Sequence, residues 1–161
     1  MIGVELGVAS GFNSYDLLRN GMELLYSVDA WKTLEQTGDG NREAEWHNYN
    51  YESTVNLLKP FGKKSIILRG LSSEMAIHVP DNSCGLFYHD AHHSYESVLS
   101  DLKIWYPKVI VGGIIACHDY ENDWDYGVKK AFNEFAEEYN LEIHSIPEDK
   151  LEDAGAFIIK K

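Results

Sequence analysis

The sequence MIGVELGVASGFNSYDLLRNGMELLYSVD, residues 1 to 29, decides the fold. Its first six residues form an apolar run of strand length. The segment Glu5-Leu6-Gly7-Val8-Ala9-Ser10-Gly11 continues from this run and carries two glycines. Glycines at this spacing predict a turn in which the backbone bends sharply or comes close to another group.

A helix is predicted to begin after Gly11, with Asn13 or Ser14 as its cap. Leu24 to Val28 then form a second apolar strand, which ends at Asp29. A strand, a glycine turn, a helix and a strand ending in an acid are the parts of a nucleotide-binding unit, in which the acid can bind both hydroxyls of a ribose. Because the spacing is G-x-x-x-G and not G-x-G-x-x-G, a ribose ligand without a diphosphate is favoured, although the glycines could also form only a turn.

Strands and helices alternate along the rest of the chain. The predicted strands are Ser65 to Leu68, Cys84 to His89, Val109 to Cys117, Leu141 to Ile146 and Ala156 to Ile159, and the main predicted helices are Tyr51 to Leu58, Ser94 to Trp105 and Val128 to Tyr139. The last two strands are joined by a connection too short for a helical crossover, so they should be antiparallel neighbours. We therefore predict an α/β fold, with a Rossmann-like, seven-stranded, mostly parallel sheet that has a terminal antiparallel strand and helices on both faces.

Composition limits the classes of partner. The 161 residues are expected to form a single domain, 1 to 161, in which no helices precede the first strand. A formal net charge of −12 would repel a phosphate backbone, so nucleic acid is not an expected partner. We find no apolar run that could span a membrane and no secretory signal, so a cytoplasmic protein is expected. The two cysteines, Cys84 and Cys117, are expected to be buried and reduced.

Residues 30 to 50 are predicted to form a loop, because they are polar and aromatic without a sustained period. A loop of this length within a compact domain is more often functional than idle. Trp31, Trp46 and Tyr49 could cover an adenine or an acceptor there, or they could pack against a helix as ordinary surface aromatics.

The motif Glu5-x-Gly7-x-x-x-Gly11, followed by Asp29, resembles the cofactor motif of the class I S-adenosylmethionine-dependent methyltransferases. Later segments extend the resemblance to the small-molecule O-methyltransferases that include the macrolide-sugar methyltransferases. These segments are Tyr88-His89-Asp90-Ala91-His92-His93-Ser94-Tyr95-Glu96, Asp101-Leu102, Trp105, Gly112-Gly113, His118-Asp119-Tyr120 and Gly127-Val128. The resemblance covers nearly the whole chain. It implies that Glu5, Gly7, Gly11, Asp29 and Ser72 bind S-adenosylmethionine, and that the acceptor is a small-molecule hydroxyl, such as one of a sugar.

Asp90 and Asp119 follow two strands that are neighbours in the sheet order of this class. Neighbouring strands lie about 4.8 Å apart, so both carboxylates could reach one divalent cation. Several members of such families use Mg²⁺, which prefers hard oxygen ligands and would lower the pKa of an acceptor hydroxyl; Mn²⁺ is an alternative. His118 stands where the sugar methyltransferases carry a second acid. It is a further metal ligand, a hydrogen-bonded neighbour of the ligands, or a plain hydrogen-bonded histidine at a strand end.

The sugar methyltransferases carry a histidine three positions after the metal-binding aspartate, and it is proposed as their base. The resemblance assigns this role to His93, which stands three positions after Asp90. A histidine suits the role because its ordinary pKa of about 6.5 allows proton transfer near neutral pH. His89 and His92 are expected to support the site.

In related enzymes, helices before the first strand often cover the cofactor, and this sequence starts directly with the strand. We therefore expect a cofactor site that these helices leave open and that the 30 to 50 loop or a second copy of the chain in a homo-oligomer closes. Two other functions stay open at this point. One is a non-catalytic S-adenosylmethionine-binding module. The other is a metal-dependent hydrolase that uses the His-Asp cluster, which consists of Asp90, His93, His118 and Asp119.

Overall fold

The computed structural model describes residues 1–33, 44–121, 127–146 and 154–161. In chain order, the helices and strands in these ranges are β1 (Ile2–Leu6), α1 (Phe12–Arg19), β2 (Leu24–Asp29), α2 (Ala44–Leu58), β3 (Ser65–Arg69), α3 (Ser72–Met75), β4 (Cys84–His89), α4 (Tyr95–Trp105), β5 (Val109–Glu121), α5 (Val128–Glu138), β6 (Ile143–Ser145) and β7 (Ala154–Ile159). Short 3-10 turns follow α2, α3 and α4. None of the helices in these ranges is long and apolar enough to cross a membrane.

The seven described strands join one sheet in the order β3-β2-β1-β4-β5-β7-β6. Neighbouring strands from β3 to β5 are parallel, whereas β7 is antiparallel to both β5 and β6. The predicted Rossmann-like sheet with a terminal antiparallel strand is therefore confirmed. The strand order reverses between β1 and β4, whose carboxyl ends lie side by side through the pair of Leu6 and His89. Ligands of doubly wound sheets bind beyond the strand ends at such a point.

Helices cover both faces of the sheet because successive side chains of a strand point to opposite sides. Val4 and Leu6 of β1 join a large core that α4 and α5 cover, while Glu5 points to the face where α1 lies. Large, fully buried side chains of this core include Phe87, Leu102, Trp105, Ile115, Phe132 and Phe135. A smaller cluster under α1 and α2 contains Leu18, Met22, Leu25 and Leu58. Cys84 and Cys117 are buried and form no disulfide, as predicted.

The predicted loop over residues 30–50 is wrong in its last third, because α2 begins at Ala44. Residues 34–43 of that loop lie outside the described part of the chain. The helix turns the polar side chains of Asn50 and Thr54 inward, and both are buried. Asn50 is the buried residue of the part of α2 before Tyr51, and because it is polar no apolar stripe marks these first turns in the sequence.

Candidate functional site

Two glycines shape the turn after β1. Gly7 and Gly11 have φ angles of 84° and 85°, in the left-handed region that favours glycine. A Cβ on Gly7 would lie 1.8 Å from the carbonyl oxygen of Asp90, and one on Gly11 would lie 3.0 Å from the side chain of Thr54. The first glycine therefore brings the turn against the end of β4, and the second brings it against α2.

Glu5 lies beneath this turn, with 1% of its surface exposed. Its carboxylate accepts hydrogen bonds from the side-chain amide of Asn13 (3.0 Å) and from the hydroxyl of Ser14, whose oxygen is 2.8 Å from that of Ser27. The N-cap of α1 is Gly11, so the prediction that Asn13 or Ser14 caps this helix is wrong. Both side chains instead tie the first turn of α1 to Glu5, which thereby supports the glycine turn.

Burial raises the pKa of Glu5 from 4.5 to about 7. The hydrogen bonds from Ser14 and Asn13 oppose this rise in pKa, and the nearby charges of Asp90 and Asp29 add to it. The Glu5 carboxyl of the folded chain therefore holds a proton at pH values where the unfolded chain has released it.

We expect Glu5→Gln to remove a pH dependence from the stability of the protein. The folded wild type binds a proton at Glu5 between pH 4.5 and about 7 that the unfolded chain does not, so its free energy of unfolding falls as the pH rises through this window. An amide does not ionise. The free energy of unfolding of the variant, relative to that of the wild type, should therefore rise by up to about 3 kcal/mol from pH 5 to pH 8. Thermal unfolding of both proteins at these two pH values checks this, and an equal difference in Tm at both would contradict it.

Asp29, at the end of β2, connects two turns through its carboxylate. One oxygen accepts a hydrogen bond from the backbone N–H of Ala9 (2.9 Å), and the other accepts from that of Trp31 (2.7 Å). A carboxylate can accept about four hydrogen bonds, so each oxygen keeps capacity for another donor. The position and the remaining acceptor capacity of Asp29 suit the two hydroxyls of a ribose.

Trp31 is a packing residue. Its side chain is buried, lies edge-on against the ring of Tyr51 in α2, and donates a hydrogen bond from Nε1 to the carbonyl of Ala9 (2.8 Å). Of the two possibilities for this tryptophan, packing against a helix is confirmed, but the residue is buried and not at the surface. Trp46 and Tyr49 lie on α2, and both are exposed.

Four predicted site residues converge at the carboxyl ends of β4 and β5: Asp90, His93, His118 and Asp119. The Nε2 atom of His93 lies 3.0 Å from Oδ2 of Asp119 and 3.6 Å from Oδ1 of Asp90. The Nδ1 atom of His118 lies at the same two distances from the same two oxygens. Ligand atoms of Asp90, His93 and Asp119 all lie within 4.8 Å of one another.

The donor atoms of this His-Asp cluster fit a small divalent cation. Ligands at about 2.1 Å from an octahedral ion are separated by about 3.0 Å when adjacent and by about 4.2 Å when opposite. The separations of 3.0 and 3.6 Å between each imidazole and the two carboxylates fall in this range. Oxygen ligands suit Mg²⁺, and an added imidazole nitrogen makes Mn²⁺ acceptable. Because His93 and His118 are placed alike, the assignment of one as base and the other as ligand stays a prediction.

Backbone geometry positions the cluster from two sides. Asp119 has a φ of 55° and lies in an irregular part of β5, between the pairs that Cys117 and Glu121 make with β7. The sequence predicts that β5 ends at Cys117, but the strand continues through the cluster to Glu121. On the other side, the carbonyl of His93 accepts a hydrogen bond from the N–H of Gly127 (2.8 Å), so the start of α5 holds the loop after β4.

His92 has the supporting role that the sequence predicts. Its Nδ1 atom lies 3.0 Å from the hydroxyl oxygen of Ser94. Ser94 is the N-cap of α4, and its oxygen accepts a hydrogen bond from the backbone N–H of Ser97. His92 therefore adjoins the helix cap, while His93 joins the cluster.

Ser72 lies apart from the cluster and bonds to a residue for which the sequence predicts no role. Its hydroxyl donates to Asp101 of α4, whose other carboxylate oxygen lies 3.1 Å from Nε2 of His89. Asp101 and His89 are both buried. The available signal in the sequence is an acid on the apolar face of a helix, three residues after Val98 and beside Leu102.

The strand ends carry a high density of acidic groups. Burial, with the charges of Asp90 and Glu5 nearby, raises the pKa of Tyr88 well above its ordinary value. Asp119 contributes in the same direction. Such a site favours cationic ligands, among them a metal ion or a sulfonium.

Comparisons with known proteins identify the family. A family model described as a methyltransferase domain matches residues 2–120. The structure of the O-methyltransferase NovP is similar at 20% identity and a TM-score of 0.69, over 98% of this chain and 71% of NovP. The O-methyltransferase TomG from Streptomyces achromogenes, involved in tomaymycin synthesis and solved with S-adenosylmethionine, is similar at 11% identity and a TM-score of 0.69, over 99% of this chain and 73% of TomG. A putative rRNA methylase from Clostridium thermocellum is similar at 13% identity and a TM-score of 0.69, over 99% of this chain and 88% of that one.

Identities this low show a shared fold and leave the methyl acceptor open. No curated protein sequence matches the chain. The matched range contains the glycine turn, Asp29 and the whole His-Asp cluster. The resemblance to the class I S-adenosylmethionine-dependent methyltransferases is confirmed, and the chain belongs to the methyltransferase domain family.

Proposed function

We propose that this protein transfers the methyl group of S-adenosylmethionine to a hydroxyl of a small molecule, such as a sugar, with the help of a divalent cation. The observation that carries the proposal is the cluster of Asp90, Asp119 and His93 directly beside the Gly7 turn. The family supplies the methyl donor, and the cluster supplies ligands and a base at the same edge of the sheet.

Five residues are proposed to hold the cofactor: Glu5, Gly7, Gly11, Asp29 and Ser72. Asp29 would accept hydrogen bonds from the ribose hydroxyls, and the two glycines would let the turn approach the cofactor while Glu5 supports it. Ser72 begins α3 just beyond β3, the strand that pairs with β2, so it lies on the side of the sheet end that Asp29 occupies.

Asp90, Asp119 and His118 are proposed to hold Mg²⁺ or Mn²⁺, which when bound would lower the pKa of the acceptor hydroxyl and fix its oxygen. His93 would take the hydroxyl proton at Nε2, where the Asp119 carboxylate at 3.0 Å would stabilise the imidazolium. The hydroxyl oxygen would bond to the methyl carbon as the sulfur–carbon bond breaks, in line, giving a methyl ether and S-adenosylhomocysteine.

Other functions use only parts of this arrangement. A non-catalytic binding module has no use for the His-Asp cluster, and a metal-dependent hydrolase has no use for the glycine turn and Asp29. An RNA acceptor is opposed by the formal net charge of −12, which repels a phosphate backbone.

We expect the purified protein to form S-adenosylhomocysteine with at least one member of a panel of sugars and other small hydroxyl compounds. Excess chelator should lower this rate by at least about a hundredfold, because several kcal/mol of transition-state stabilisation would be lost with the metal. Added Mg²⁺ or Mn²⁺ should restore the rate. Undiminished turnover in excess chelator would contradict the metal role.

Calorimetry with S-adenosylhomocysteine separates the remaining alternatives. Binding without transfer to any acceptor would support the non-catalytic module, and no binding would support the hydrolase. Methylation of RNA oligonucleotides, but of no small hydroxyl compound, would contradict the proposed acceptor class. Closure of the site by a second copy of the chain stays a prediction, which a monomer in light scattering with tight cofactor binding would contradict.

A further inference from the structure

Asp101 is a buried acid with two partners on two other elements. It lies on the inner side of α4 with 6% of its surface exposed. One carboxylate oxygen accepts a hydrogen bond from the hydroxyl of Ser72, at the start of α3, and the other lies 3.1 Å from Nε2 of His89, at the end of β4. His89 is itself 1% exposed, so water does not compete for this contact.

The direction of these hydrogen bonds follows from the chemistry of a carboxylate. An ionised carboxylate only accepts, so both Ser72 and His89 must donate to it. The hydroxyl proton of Ser72 therefore points to Asp101, and only lone pairs of the Ser72 oxygen are left for a ligand. His89 in turn fixes the plane of the Asp101 carboxylate, since its Nε2–H binds the second oxygen.

We propose that Asp101, anchored by His89, is a positioning residue that orients the Ser72 hydroxyl so that its oxygen accepts a hydrogen bond from S-adenosylmethionine. The inference rests on the proposed function, because Ser72 is there assigned to the cofactor. Asp101 lies behind Ser72 and acts on the cofactor only through it. A free serine hydroxyl would rotate and lose part of its interaction with the cofactor.

The test is a double-mutant cycle on the binding of S-adenosylhomocysteine, measured by calorimetry. Asp101→Asn keeps the size of the side chain but leaves a single accepting oxygen for two donors. Ser72→Ala and Asp101→Asn should each weaken binding by about tenfold, as expected for one lost hydrogen bond. The double variant should bind no more weakly than the weaker single variant, because both changes remove the same interaction.

Val98→Ala is the matched control for a general loss of stability. Val98 is fully buried on the same helix, three residues before Asp101, and is apolar. This variant should lower Tm and leave the affinity for S-adenosylhomocysteine unchanged. A loss of affinity in Val98→Ala equal to that in Asp101→Asn would overturn the proposal, since packing alone would then explain the effect.

A spectroscopic measurement tests the anchor without any ligand. Nitrogen-15 NMR of the wild type should show a proton on Nε2 of His89, and its absence would overturn the proposal. Failure of the wild type to bind S-adenosylhomocysteine would overturn both the proposed function and this inference. Tight wild-type binding with unchanged affinity in Asp101→Asn, or with additive effects of the two changes, would overturn the inference alone.

Discussion

Replacement of Asp119 by asparagine should lower methyl transfer by at least about a hundredfold and leave the affinity for S-adenosylhomocysteine within about threefold of the wild type. Oδ2 of Asp119 lies 3.0 Å from both His93 and His118. An amide removes the negative charge that would hold the metal and stabilise the imidazolium. Asparagine is the suitable replacement because a φ of 55° is tolerated by Asp, Asn and Gly and strains alanine.

The matched control for this change is Glu121→Gln, which removes the same charge two residues later in β5. Glu121 is exposed and pairs with Lys129, outside the cluster. Initial rates with Mg²⁺ and calorimetry with S-adenosylhomocysteine should find this control close to the wild type in both respects. If the rate and the cofactor affinity of Asp119→Asn fell together, Asp119 would be acting on the cofactor, and the proposed metal role would be wrong.

Replacement of Gly7 by alanine should destabilise the protein by about 3 kcal/mol, through overpacking combined with backbone strain. The added Cβ would lie 1.8 Å from the carbonyl oxygen of Asp90 and 2.7 Å from the backbone nitrogen of Ala91. These are backbone atoms, so no side chain can rotate away, and the end of β4 must move. For a domain of this size we expect a Tm lowered by roughly 10 °C, together with weaker binding of S-adenosylhomocysteine.

Gly21→Ala separates overpacking from backbone strain in this experiment. Gly21 has a φ of 109°, but an added Cβ there would meet no atom within 4 Å. This control should therefore show the strain alone, about 1–2 kcal/mol, and unchanged cofactor affinity. Equal losses of Tm in the two variants would mean that the contact with Asp90 has no part in the effect of Gly7→Ala.

The sheet could be predicted because its strands are short apolar runs separated by turn residues and amphipathic helices. Asp90 and Asp119 could be placed together because the sheet order of the resembled class makes their two strands neighbours, and the observed pair of His89 with Cys117 confirms that β4 and β5 are neighbours at this end. The strand and helix patterns depend on residues close together in sequence, which is why they could be recognised without the structure, whereas the strand order came from the family resemblance.

Contacts between distant segments could not be predicted in the same way. Gly7 indicates a turn in the sequence, but the backbone of Asp90 that excludes any larger residue there becomes visible only in the fold. Ser72, Asp101 and His89 lie on three different elements, and no sequence period links them. The start of α2 could not be predicted for a different reason, because the residue that its first turns bury, Asn50, is polar.

The position of β7 has a consequence for synthesis of the protein on the ribosome. β7 is the last described strand in the chain, yet it lies between β5 and β6 in the sheet. β6 therefore has no partner in the sheet until residues 154–159 have left the exit tunnel. The irregular segment that carries Asp119 is bounded by pairs with β7, so these pairs too can form only then. We therefore expect the nascent chain to complete the order β5-β7-β6 of the described strands, and the pairs that flank Asp119, only after residues 154–159 have been synthesised.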